Sequence, residues 1–181
     1  MLRILMLALL LSRPASAGEL AGVTLPDTAT VGGQTLVLNG MGLREKYFVD
    51  VYVGGLYLPS RTTSGETAIA EPGPKRIVMH FIYKTVTRDQ MAETFEEGIA
   101  KVEGGEALAP RMQKLEGLLT DVHKGDEVVL DYIPGTGTVL SINGTTKGTI
   151  EGEDFMRAIW SIYVGPNPAN QKLKKGMLGG A

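Results

Sequence analysis

Residues Gly40 to Pro59 read G-M-G-L-R-E-K-Y-F-V-D-V-Y-V-G-G-L-Y-L-P, and the rest of the chain is best understood outward from them. The stretch opens as a glycine-rich loop carrying one cation, Arg44, and runs into a long extended segment of aromatic and β-branched residues. Such residues suit a pleated, packed surface. Side chains alternate along a strand, so Phe48, Asp50, Tyr52, Gly54 and Leu56 share one face and Tyr47, Val49, Val51, Val53 and Gly55 the other. The second face is almost wholly apolar and reads as core. The first combines a carboxylate and a phenol with a spot free of side chain at Gly54, where something packs close to the backbone. That face, fed by Arg44, is the candidate ligand site. Two orientations of Arg44 stay open at this point: into a cleft, or across to Asp50 as an ion pair.

Upstream, Gly22–Leu25 and Gln34–Leu38 read as short strands around the turn Gly32-Gly33, forming a meander with the organising strand. Downstream, a polar break leads to a short helix over Glu66–Glu71. Lys75 to Lys84 is then apolar on both faces, as expected of a strand covered on both sides. Thr87-Arg88-Asp89-Gln90 is a capping box opening a helix with Met91, Phe95 and Ile99 on one stripe, halted by Gly104-Gly105. A second helix covers about Ala107–Thr120. Strands over Asp126–Ile133, Thr138–Ile142 and Thr146–Ile150 follow, the last two joined by Asn143-Gly144, a strong type I′ hairpin signal. A helix over Glu153–Tyr163 and a last one, capped by Asn167 and ended by Gly176, close the chain. Segregated runs of strands and helices indicate an α+β fold, a largely antiparallel sheet with helices packed on it.

The first seventeen residues read as a secretory signal peptide: Arg3, the apolar run Ile4 to Leu11, and the small-residue site Ala15-Ser16-Ala17 before Gly18. Residues 18–181 then form a single domain. The formal net charge is −2, with no basic block, which argues against a nucleic-acid partner. Cysteine is absent, so there is no disulfide framework and no thiolate metal site. Export without disulfides suits a bacterial periplasm.

G-x-S-x-G, the phosphate-binding G-x-x-x-x-G-K-[ST] and the dinucleotide G-x-G-x-x-G are all missing. Neither His80 nor His123 has a second ligand at metal spacing, so no metal and no cofactor is expected. His80 reads as a satisfied core histidine. No nucleophile-and-base pairing stands out, and the balance leans away from an enzyme.

Three pieces together resemble the chalcone isomerase-like family in its bacterial, exported branch. They are the Gly40–Pro59 motif, the central strand followed by T-R-D-Q, and the C-terminal A-I-W-S-I-Y-V-G-P-N-P-A-N-Q-K-L-K-K-G-M-L-G. The resemblance implies an open-faced β-sandwich with the ligand cleft between a large antiparallel sheet and its helices. The family includes chalcone isomerases, fatty-acid-binding relatives and non-catalytic accessory proteins. It implies that Arg44 is the arginine that meets an anionic oxygen, a phenolate in the isomerases and a carboxylate in the fatty-acid binders. Tyr52 falls where the isomerases carry a threonine. Where they place a tyrosine and an asparagine for substrate, this chain has Met91 and Gly98, neither able to take that role. Ser161 represents the later Ser/Thr pair with an offset of one. The expectation is a periplasmic, non-catalytic binder of a small amphipathic acid such as a fatty acid, using Arg44, Tyr52, Met91, Phe95 and Ser161. The alternatives are an isomerase of the intramolecular-lyase type, with Arg44 stabilising an oxyanion, and an envelope scaffold or accessory protein.

Overall fold

Three local devices shape the organising stretch. The computed structural model describes residues 18–180; the expected signal peptide, residues 1–17, lies outside the described residues. Within 40–59 the chain does not run on as one strand. Strand β4 (Gln34–Lys46) turns at Tyr47-Phe48 and returns as β5 (Val49–Leu58). Both turn residues have positive φ, 52° and 65°, with Lys46 paired to Val49. That is the backbone of a two-residue type I′ hairpin, built here without its usual Asn-Gly.

The other two devices are bulges. Between Leu38 and Gly40 the register shifts, leaving Asn39 as an extra residue; between Arg44 and Glu45 it shifts again, leaving Val51 extra on β5. The glycine-rich segment expected to be a loop is therefore strand. Arg44 sits in β4, directly opposite Tyr52.

Around this pair lies a seven-stranded antiparallel sheet in the order β11-β10-β9-β6-β5-β4-β3. Strand β3 is Thr28–Val31 and β6 is Lys75–Phe81; β9 is Glu127–Ile133, β10 Gly137–Ile142 and β11 Thr145–Ile150. One face packs under helices α2 (Arg88–Ile99), α3 (Ala109–Leu118) and α4 (Glu153–Val164). A short helix α1 (Gly65–Ala70) rests on α4. The other face is only partly covered, by the N-terminal hairpin of β1 (Gly18–Leu20) and β2 (Val23–Leu25), whose Leu25 abuts Gly55. A two-stranded pair, β7 (Thr85–Val86) with β8 (Val122–His123), ties the ends of the α2–α3 segment together.

The helices begin where local chemistry places them. Thr87 accepts from the Gln90 amide while Gln90 reaches back to the Thr87 N–H, a complete capping box, worth about 1 kcal/mol. Asn143 and Gly144 take positive φ, 50° and 74°, as a type I′ turn needs. The final helix differs from expectation. Asn170, not Asn167, accepts from the Leu173 amide at 2.8 Å and opens α5 (Gln171–Met177).

Gly176 does not end α5 but lies inside it, against Met41 and Gly42 of β4. The reciprocal contacts hold too: a Cβ at Gly42 would strike the Leu173 backbone, and one at Gly40 the backbone of Gly176 and Met177. The glycines of the G-M-G motif are thus a seat on which a helix backbone lies directly against a strand. Asn39 locks this seat, its amide donating to the carbonyls of Met177 (2.7 Å) and Thr62 (3.0 Å) while its oxygen accepts from the Thr62 N–H.

Candidate functional site

The bulge at Val51 matters because it changes the phase of β5. Simple alternation puts Val51 and Tyr52 on opposite faces, yet Val51 packs against the helix-covered core and both residues line the same cavity. This cavity, of about 400 Å³, lies between the β4–β5–β6 end of the sheet and helices α2 and α4. Its size falls in the range of small-molecule sites, about 300–1,000 Å³. Met79, Phe81, Met91, Phe95 and Ile162 are its buried apolar walls. Tyr47, Val49, Tyr83, Glu93 and Glu97 are exposed and form its mouth.

Its polar inner end is built from three elements. Arg44, only 8% exposed, donates one Nη1 hydrogen to the carbonyl of Ala169 at 3.1 Å and approaches that of Glu45 at 3.4 Å. Ala169 belongs to the segment leading into α5 and is held by its own N–H to the Ile162 carbonyl. Asn170 and Lys172 fasten the same segment to Glu45. No carboxylate among the described residues pairs with Arg44. Asp50 is exposed, so the Arg44–Asp50 pair does not form.

Two phenols stand beside the guanidinium. Burial pushes Tyr52 up to about 12, although the Arg44 charge and the adjacent Tyr163 hydroxyl pull the other way. Burial also raises Tyr163 well above the ordinary tyrosine range, and Tyr52 beside it adds to the rise. Both are therefore neutral O–H groups at physiological pH. The Tyr163 hydroxyl donates to the Met79 sulfur at 3.1 Å, a weak acceptor. The Tyr52 ring packs tilted against Phe81, centroids 5.4 Å apart. One cation and two neutral donors converging at the end of an apolar chamber form an arrangement able to receive an anionic oxygen.

Of the residues singled out from sequence, Arg44, Tyr52, Met91 and Phe95 line this cavity. Ser161 does not: it points back along α4, its hydroxyl bonded to the Arg157 carbonyl at 2.7 Å, while its neighbours Ile162 and Tyr163 face the chamber. The offset of one residue rotated it off the inward face. Gly98 is a packing position, where a Cβ would press on Ile162 of α4. Sequence reasoning missed Tyr163, which sits in the apolar run A-I-W-S-I-Y-V and carries no signal separating it from core. His80 holds Glu127 at 3.0 Å on the outer face, away from the chamber. Among the described residues no group of side chains has the makings of a metal site, and no helix is long and apolar enough to cross a membrane.

No curated protein matches the chain. Among solved structures it is similar to a fatty-acid binding protein of Arabidopsis thaliana. The two share 18% identity and a TM-score of 0.73, over 90% of this chain and 96% of the plant one. At that identity the likeness speaks for the fold, the large antiparallel sheet with helices packed on it. The model of the chalcone isomerase-like family matches residues 17–179, nearly the whole length, and the chain belongs to that family.

Proposed function

We propose that the protein is a non-catalytic binder of a small amphipathic acid, a fatty acid, acting in the periplasm after removal of residues 1–17. One observation carries this reading: Arg44 is a buried cation at the inner end of an apolar cavity, with no carboxylate among the described residues to meet it. Buried charges are ordinarily paired, and an unpaired one is costly. A ligand carboxylate entering head first would meet the guanidinium and the Tyr52 and Tyr163 hydroxyls. Its hydrocarbon tail would lie along Met91, Phe95 and Phe81. The fatty-acid-binding neighbour of the same fold supports this choice of acid.

The isomerase reading draws on the same three donors, which would equally stabilise an enolate or phenolate oxygen. It lacks a partner group. The carboxylates lining the cavity are Glu93 and Glu97, both exposed on α2 at the mouth rather than near Arg44. A proton-transfer mechanism needs its base within hydrogen-bond reach of the reacting atom.

The test is native mass spectrometry of protein purified from a bacterial periplasm, alongside Arg44→Ala. An acid carried by the wild type and lost from the variant is the expected result, and it identifies the ligand. A wild type that stays empty and ignores added fatty acids would end the proposal.

A further inference from the structure

The large apolar side chains standing exposed among the described residues are Tyr47, Phe48, Val49 and Tyr83. They are not scattered. Three are consecutive at the β4–β5 hairpin tip, and Tyr83 follows β6 where its N–H and that of Ile82 bond the Val51 carbonyl. Tyr47, Val49 and Tyr83 line the mouth of the cavity, while Phe48 is fully exposed at the tip. Isolated exposed apolar residues need no explanation, but a cluster around a cavity mouth does.

The backbone makes the cluster more telling. Tyr47 and Phe48 occupy positive φ at both central positions of a type I′ turn. Asn-Gly would take those angles without strain, whereas two aromatics do so at a cost. The chain holds two rings in water, on strained backbone, at the lip of its cavity.

The shape selects the partner. A hairpin tip is convex, and two rings of about 150–250 Å² each fall well short of the roughly 800 Å² per partner typical of a stable protein interface. Aromatic rings on a narrow projection suit a soft interface in which rings settle at headgroup level. The local charges do not call for an anionic surface: Lys46 already pairs with Glu93 at 3.8 Å, and a further cation, Lys84 beside Tyr83, is offset by the exposed Asp50 and Glu97. The geometry points to a lipid bilayer as the partner, with the Tyr47-Phe48 tip entering a neutral phospholipid interface and setting the cavity mouth against it. A lipophilic acid would then pass between bilayer and chamber without crossing water. Only this purpose rests on the proposed function; the docking itself stands on the tip alone.

The test uses the chain beginning at Gly18, which contains every described element, and sedimentation with phosphatidylcholine vesicles. The informative variant is Tyr47→Asn/Phe48→Gly, which removes both rings while supplying the preferred turn residues, so its melting temperature should not fall. The wild type is expected to sediment with the vesicles at low and high salt, and the variant's partition coefficient to drop at least tenfold. Three results would overturn the proposal. These are no vesicle binding by the wild type, equal binding by the variant, or binding only to anionic vesicles that salt abolishes. Acid binding measured without vesicles reports separately on the cavity, so the two readings can fail independently.

Discussion

Arg44 and Tyr52 lie directly opposite each other across the β4–β5 ladder, and the register breaks immediately beyond them. The pairing fixes the spacing of guanidinium and phenol through the backbone rather than through side-chain packing. The two should therefore act on a ligand as a unit. Wild-type protein saturated with a fatty acid at a hundred times Kd gains about 2.7 kcal/mol, or about 5–10 °C of melting temperature for a chain of this size. In Arg44→Met the same acid should give no shift by calorimetry; a retained shift would remove Arg44 from the site.

Tyr52→Phe and Tyr163→Phe should each weaken acid binding by about ten- to a hundredfold, the worth of one hydrogen bond to a charged group. The Tyr163 variant tests the residue that sequence did not reveal. If titration calorimetry finds Tyr163→Phe unchanged, its hydroxyl serves only the Met79 sulfur.

Tyr52 and Tyr57 are both pushed up to about 12 by burial. Their folded values exceed the unfolded value near 10. The resulting stabilisation is whole below pH 10 and is lost as pH rises from 10 through 12. Phenolate absorbance from these two residues should emerge only in that upper range, together with loss of near-ultraviolet circular dichroism. Appearance of all phenolates near pH 10 in the folded protein would contradict it.

Lys75 is fully buried and donates to the carbonyls of Ala68, Ile69 and Glu71, 2.8–3.1 Å away, at the end of α1. Burial lowers it to about 8. The folded protein then sheds this proton before the unfolded chain, whose lysine titrates near 10.4. Between those values stability should rise with pH. Urea midpoints at pH 7.5 and 9.5 should move in favour of the wild type relative to Lys75→Met.

Gly176→Ala offers a sharp test of the helix seat. Inside an unconstrained helix this change gains about 1 kcal/mol, yet here the new methyl meets Met41 and Gly42. We expect a net loss of about 1–3 kcal/mol by denaturant unfolding, accompanied by weaker acid binding because α5 carries the Ala169 segment that holds Arg44. A stabilised variant would show that the seat yields.

What the sequence disclosed was whatever local chemistry determines. Thr87 with Gln90, and Asn143 with Gly144, announce their cap and turn within four residues. Arg44 stood out as the first charge after the glycine-rich G-M-G-L opening of the motif. The misreadings involve meaning supplied from far away. Gly40 and Gly42 look like loop residues unless one knows that Gly176, more than 130 positions later, lies against them. The Tyr47-Phe48 turn contains none of the residues that favour positive φ, so the hairpin was invisible. The bulge at Val51 obeys no short motif, and without it a strand's strict alternation hides that Val51 and Tyr52 share a wall. Ser161 was one position from the answer, and on a helix one position is a rotation of about 100°.

The tether between Asn39 and Met177 joins positions 138 apart, and it makes the polar end of the chamber a late acquisition in folding. The sheet can pair and the first helices can pack while Arg44 still lacks the Ala169 carbonyl that orients it. That carbonyl arrives together with the helix whose backbone lies against the strand glycines. A chain cut short before Ala169 would keep the buried cation and lose the group that holds it in place.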